Sequence, residues 1–257
     1  MIDLKNLNII LTGGTGVIGN AIIDKLISAG AHVIATGTNE EKLKIIQDKH
    51  KELDVMKFNL SDHGGIDKFV EDCSKNFSNK IDVLINNAGR SAGDDFENVT
   101  DNQWQEDLEL KLFAAIRSSR IAIKYMKKQN SGRIINVTNL GGKAPGYSSV
   151  PTSVSRSAGI ALTKALSKDS AKYNILVNTV CIGLIKSAQH EKRWIKDHEN
   201  SNISLEEWYL ELGKDVPLKR VGESSEAADV ITFLASKRAS YISGVAINID
   251  GGLSPVV

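Results

Sequence analysis

Strands alternating with helices along the whole chain predict an α/β protein built on a doubly wound, mostly parallel sheet with helices on both faces. Three observations carry that reading. Short apolar, β-branched runs recur, Ile9-Ile10-Leu11 first among them, each followed by a stretch of helical period. The first run passes straight into a glycine-dense turn, Thr12-Gly13-Gly14-Thr15-Gly16-Val17-Ile18-Gly19, and then into an amphipathic helix. The other unusual turns fall where strands would end: Gly37-Thr38, Asn86-Asn87-Ala88-Gly89, residues 138–142 and residues 181–187. In such sheets ligands bind beyond the carboxyl ends of the strands.

The elements follow in order. The first helix carries Ile18, Ile22, Leu26 and Ala29 on one face and stops near Gly30. Residues 31–36 read as the second strand, and Thr38-Asn39-Glu40-Glu41 opens the next helix with a capping residue and early acids. Residues 55–58 make a short third strand, and Ser61-Asp62 is expected to cap a helix running to about Phe77. Residues 81–85 form the fourth strand. A loop over 90–100 leads to a long helix, about 101–128, with Trp104, Leu108, Leu112 and Ala115 on its buried face. Residues 133–137 form the fifth strand, 138–151 a loop rich in glycine and proline, and 152–173 a helix. The sixth strand covers 175–180. A polar, tryptophan-containing insertion, helical in part, spans 182–216; the last helix is 224–235 and the last strand 245–249. No internal repeat, linker or low-complexity tract divides the chain, so 1–257 reads as a single domain.

The composition narrows the partners. A net charge of +1 favours neither nucleic acid nor an anionic membrane surface. No apolar run approaches the ~20 residues that span a bilayer, and residues 1–7 carry Asp3 and Lys5 with no signal-type apolar segment. Cys73 and Cys181 lack metal-ligand spacing and read as reduced thiols of a cytoplasmic protein. The five histidines form no ligand cluster, so no metal is expected; His190 and His198 lie in a polar segment and read as solvated.

Strand, glycine turn and helix together suit a phosphate. The glycines let backbone approach a pyrophosphate closely, and the helix start offers unpaired N–H groups at a positive dipole end. A tight strand–helix turn needs glycine for steric reasons as well.

Four further patches give the chain its likeness. Thr12-Gly13-Gly14 with Gly19, Asn86-Asn87-Ala88-Gly89, Arg133-Ile134-Ile135-Asn136-Val137, and a C-terminal set (Pro217 to Gly222, Phe233 to Ser236, Ser243-Gly244 and Asp250-Gly251-Gly252) together resemble the short-chain dehydrogenase/reductase family from end to end. The resemblance implies a seven-stranded Rossmann-type fold, a nicotinamide cofactor, a small-molecule substrate and a homo-oligomer, a tetramer or dimer. The cofactor positions it implies are Gly13, Thr15, Gly16, Ile18, Gly19, Thr38, Asn59, Asn87, Ala88, Gly89, Arg156, Gly183, Ile185 and Ser187. The insertion over about 184–215 resembles the family's mobile lid, with Trp194, Trp208 and Tyr209 lining a pocket or forming their own small core. The opening turn departs from the single-domain pattern, since its second glycine is Gly16 where Val17 would carry it. Cys181-Ile182-Gly183 also lacks the family's proline before the glycine. At the end of the second strand Gly37 stands where a carboxylate would bind an adenosine ribose. Thr38 and Lys42 lie nearby, so the expected cofactor is NADP(H) ahead of NAD(H).

The catalytic positions differ most. Where the family carries asparagine, serine, tyrosine and lysine, this chain reads Lys111, Asn139, Thr152 and Arg156. A threonine hydroxyl donates a hydrogen bond but is a poor proton relay. Arg156, one turn after Thr152, keeps a charge but cannot deprotonate. Asn139 keeps a donor for a carbonyl. Lys111 reads as a stem packed on apolar neighbours with its tip in water, or as a substitute cation beside the cofactor. Tyr147, on the loop before Thr152, is the one phenol able to take over the proton role or is an ordinary loop residue. The expected function is hydride transfer between NADP(H) and a carbonyl or alcohol through a non-standard site. The alternatives are a nucleotide-binding protein without turnover, in a regulatory or interaction role, and a related non-redox reaction.

Overall fold

The computed structural model describes residues 2–198 and 203–257. Seven strands make one sheet, every neighbouring pair parallel. They are β1 (Asn8–Leu11), β2 (His32–Gly37), β3 (Asp54–Lys57), β4 (Val83–Asn86), β5 (Gly132–Asn139), β6 (Ile175–Ile182) and β7 (Ala246–Ile249), in the spatial order β3-β2-β1-β4-β5-β6-β7. The order reverses between β1 and β4, which opens a crevice at their carboxyl ends.

Both faces of the sheet are apolar, as a doubly wound sheet requires. On β1, Ile9 and Leu11 turn to one side and Ile10 to the other. The first side packs on α1 (Val17–Ser28) and α9 (Ser224–Ala235) through Ile22, Ile23, Leu26, Ile231 and Leu234. The second packs on α3 (Ile66–Asn76) and α5 (Ala114–Lys128) through Phe69, Val70, Ile121 and Met126. Helix α2 (Glu40–Lys49) starts as the sequence suggests: the Asn39 side chain accepts from the Lys42 amide at 2.9 Å.

Two expectations need correction. The helix after β3 begins at Ile66, not at Ser61. Asn59 accepts from the Ser61 amide through its side chain (3.1 Å) and from the Asp62 amide through its carbonyl (2.9 Å), so those residues close a turn. The helix over 101–128 is not regular either. It runs as α4 (Asp101–Leu108), a π-helical turn (Glu109–Phe113) and α5. The wider turn rotates the helix face, so Trp104, Leu108 and Leu112 are only half-buried and the most buried residue of α4 is Asp107.

After α6 (Thr152–Ser170) and β6, the insertion folds as α7 (Ala188–His198) and α8 (Leu205–Gly213). Trp208, Tyr209 and Val221 form a small core there with Leu184, Trp194, Leu205 and Leu212. Residues 199–202 and the side chains of Asp197 and His198 lie outside the described residues. Among the described residues, no helix is long and apolar enough to cross a membrane.

Leu84, 0% exposed in central β4, is expected to lose about 2–5 kcal/mol of stability on replacement by Ala. Ile45→Ala on the exposed face of α2 is expected to change it by less than about 0.5 kcal/mol. Urea unfolding of the two variants checks the contrast.

Candidate active site

The crevice is built by locking two turns together. The Thr12 hydroxyl, buried at the end of β1, accepts from the amides of Asn87 (3.0 Å) and Ala88 (3.1 Å) and donates to the Ile85 carbonyl. The Asn87 side chain returns two bonds, to the carbonyls of Thr12 (3.1 Å) and Gly13 (3.0 Å). Gly13 has φ +68°, and a Cβ there would lie 2.8 Å from Ala88 Cα. A Cβ at Gly19 would collide with the Gly13 carbonyl. Gly16 differs: a Cβ there would meet nothing nearer than 3.9 Å. The protein's own packing does not demand that glycine; open space lies over it.

Behind the turns a buried polar chain ties the central strands to their helices. Asn86 donates to Asn136 (2.8 Å), Asn136 donates to Thr163 (2.8 Å), and the Thr163 and Thr179 hydroxyls share a bond of 2.7 Å.

The space above the turns is a groove of about 710 Å³. Every cofactor position implied by the resemblance lines it: Gly13, Thr15, Gly16, Ile18, Gly19, Thr38, Asn59, Asn87, Ala88, Gly89, Arg156, Gly183, Ile185 and Ser187. Gly37 lines it too, and its residue type has a packing cause. A Cβ there would lie 2.6 Å from Thr15 Cγ2 and 2.9 Å from Thr15 Oγ1. Among the described residues, no lining residue is a carboxylate, whereas Arg90, Arg156 and His190 are basic. Lys42 does not line the groove.

The four positions to which the resemblance assigns catalysis separate into two groups. Asn139 and Arg156 line the groove. Arg156 donates to the Val137 carbonyl at 2.8 Å, and burial lowers its pKa from the usual arginine value, against the pull of Asp107. A guanidinium stays protonated nonetheless. Lys111 and Thr152 do not line the groove. The Lys111 side chain is 2% exposed and its ammonium is bound to Asp107, whose side chain is 1% exposed. That ammonium also donates to Thr152 Oγ1 at 2.7 Å. Ser155 donates to the other Asp107 oxygen at 2.6 Å, and the Ala92 amide donates to Thr152 Oγ1 at 3.0 Å. Burial pushes the Lys111 pKa down to about 8, opposed by the hydrogen bond to Asp107.

Lys111 therefore does not carry its tip in water; the π-helical turn swings it inward onto Asp107. Tyr147 is fully exposed and lines neither the groove nor the pocket that holds Lys111. His190 is not solvated: its ring packs against Trp208 and Tyr209 at the start of α7. The motifs do not point to Asp107 and Ser155, which bond within the Lys111 cluster, or to His190, which lines the groove. Asp107 stands four residues before Lys111, the spacing of a helical ion pair, which is a legible signal for the pair but not for its burial.

Residues 7–198 match the family model for short chain dehydrogenase. The chain is 32% identical over 249 residues to the 3-oxoacyl-[acyl-carrier-protein] reductase FabG of Aquifex aeolicus (strain VF5), covering 95% of this chain and 96% of that one. Among solved structures it resembles the L-sorbose reductase of Gluconobacter frateurii complexed with NADPH and L-sorbose (TM-score 0.93, 25% identity, 100% and 99% covered). It also resembles a short chain oxidoreductase of Pseudomonas aeruginosa PAO1 described as containing an atypical catalytic center (TM-score 0.91, 29% identity, 99% and 100% covered).

Removing Asp107 alone is expected to be severe. Asp107→Ala strands a buried ammonium and should cost about 3–5 kcal/mol, while Asp107→Leu combined with Lys111→Met should recover most of it. Lys111 also has a pH signature. Its folded pKa lies near 8 against an ordinary 10.5, so between those values the unfolded chain holds a proton the folded chain has lost. Stability due to this group rises with pH across that window. Urea titrations of the wild type minus Lys111→Met, at pH 8 and pH 10, should show the difference growing in the wild type's favour.

Proposed function

We propose, from the premise that this chain belongs to the short-chain dehydrogenase family, that it transfers hydride between NADP(H) and a carbonyl or alcohol substrate through a non-standard site. The observation that carries this is the state of the groove wall. Thr36 Oγ1, Asn139 Oδ1, Arg156 Nε and His190 Nδ1 are buried side-chain atoms without a hydrogen-bond partner, and all four residues line the groove. Native interiors rarely leave such atoms unmatched, and a polar ligand would match them. With the open space over Gly16, Thr36 and Arg156 fit a dinucleotide, and Asn139 and His190 fit a substrate beside it.

In this reading Gly13, Thr15, Gly16, Ile18 and Gly19 hold the diphosphate, and Thr38 and Asn59 the adenosine end. Asn87, Ala88, Gly89 and Arg156 hold the second ribose, and Gly183, Ile185 and Ser187 the carboxamide. A nicotinamide cofactor, when bound, supplies or accepts hydride at its ring. Asn139 would donate to the substrate oxygen and so stabilise developing negative charge. The absence of a carboxylate among the described lining residues, together with Thr38 and the groove's arginines, supports NADP(H). The NADPH complex of L-sorbose reductase is in keeping with that choice. We assign 1–257 to a single domain whose insertion, about 184–215, covers the substrate. The same reading makes the protein a cytoplasmic homo-oligomer, a tetramer or dimer.

The second reading, nucleotide binding without turnover, has its own support. Lys111, Thr152 and Asp107 bond to one another instead of facing the groove. A panel of carbonyl compounds assayed with NADPH and with NADH, beside binding titrations, separates the two. The expected result is consumption of NADPH with at least about a tenfold preference over NADH, the effect of roughly one hydrogen bond. Arg156→Ala should weaken NADPH binding about 10- to 100-fold. Tight binding with no consumption across the panel favours the second reading.

A further inference from the structure

Hydride transfer to or from a carbonyl also requires a group that gives or takes a proton. Thr152, at the family's tyrosine position, is engaged: its oxygen accepts from Lys111 and the Ala92 amide, and its own proton is directed to Asp107. Lys111 is enclosed with Asp107, and Tyr147 stands in solvent. Among the described residues lining the groove, the side chains able to carry a proton charge are Arg90, Arg156 and His190. The two guanidiniums do not release protons in the ordinary pH range. An imidazole does.

His190 is also held in place. It sits in the first turn of α7, where its backbone amide donates to Ser187 Oγ (3.4 Å), next to the position assigned to the carboxamide. Its ring meets Trp208 and Tyr209 of α8 edge-on, with centroids 6.2 and 6.4 Å away. Nδ1 is buried and has no partner. A groove-lining imidazole whose ring is fixed by aromatic packing, with one nitrogen unmatched within the protein, is placed to take part in proton transfer.

We propose that His190 is the acid–base residue of this site, a proposal that rests on the hydride-transfer reading. In oxidation the substrate carbon gives its C–H pair as hydride to the nicotinamide ring. Its O–H bond breaks, the proton goes to the His190 imidazole, and the C=O bond forms. In reduction the imidazolium returns that proton to the oxygen as hydride arrives from the reduced nicotinamide. Burial lowers the imidazole pKa, with Arg193 acting in the same direction and the Ile185 backbone against it. Tyr209 packs beside the ring from α8; Glu191, Lys186 and Glu206 act on that phenol, and Lys186 is paired with Glu223 and Glu206. His190 is thus neutral at pH 7, the form that accepts a proton, and protonation in acid removes it.

The experiment compares wild type with His190→Phe, which keeps the aromatic packing, and His190→Gln, which keeps a hydrogen bond. NADP⁺ is the probe for a readout independent of turnover. The wild type's His190 ring signal, identified by its loss in the variants, is expected to shift its NMR titration midpoint when NADP⁺ is added. NADPH affinity should stay within about threefold in both variants, since His190 serves the substrate. Turnover of the alcohol–carbonyl pair found in the panel should fall about 10²–10⁴-fold in both, and the acid limb of the oxidation pH profile should disappear. Variants that bind NADPH and retain either the wild-type rate or the acid limb overturn the proposal, as does a ring signal indifferent to NADP⁺. Failure of the wild type to bind NADPH, or to turn over any panel compound, overturns the hydride-transfer reading first and this proposal with it.

Discussion

The Thr12 hydroxyl makes the crevice possible. It sits where the strand order reverses, and by accepting two amides from the Asn87-Ala88 turn it fixes the ends of β1 and β4 at one separation. Asn87 closes the clasp from the other side by bonding the carbonyls of Thr12 and Gly13. The clasp brings backbone so close that Gly13 must lack a side chain. Gly19 answers a similar demand where helix meets strand. Once those contacts are made, Gly16 is left facing open space, and the first turn of α1 presents its amides to whatever enters. The groove is thus a consequence of how two strand ends are joined.

A second constraint shapes the chemistry. A lysine at position 111 cannot be buried alone, and the π-helical turn that carries it inward delivers it to Asp107 one turn earlier. Asp107 is then saturated by Lys111, Ser155 and Thr152. This cluster occupies the space behind the groove and consumes the hydrogen-bonding capacity of Thr152. Only Asn139 and Arg156 of the four changed positions remain available to a ligand. In the hydride-transfer reading the proton function has to come from another direction, and the proposal gives it to the His190 imidazole of the insertion.

Much of the fold is legible in the sequence because the relevant signals are local. Ile9-Ile10-Leu11 needs only period two and β-branching to read as a strand, and the glycines of the first turn answer steric demands that any such turn makes. Asn39 caps α2 through a bond within three residues. The start of α3 is harder, since Ser61-Asp62 looks like a cap whether its bonds lead forward into a helix or back to Asn59. The site is legible only in part. The groove residues follow from the same turns. The inward turn of Lys111 depends on one extra residue in a helical turn, which leaves no mark in composition. The burial of His190 depends on Trp208 and Tyr209, eighteen and nineteen residues further along, and no local pattern reports it.

We read the turn over residues 12–19 as the grip for a diphosphate. Gly16→Val tests it directly, because the backbone there (φ −81°, ψ 166°) is open to any residue and a side chain would meet only the space the ligand needs. Thermal melts of wild type and variant, with and without NADPH, are the measurement. Without nucleotide the variant's midpoint should fall by no more than a few degrees, the cost of valine at the α1 N-cap. At a hundredfold excess over Kd, the wild type should rise by about 5–10 °C and the variant not at all. Equal rises in both proteins, or no rise in the wild type, would contradict it.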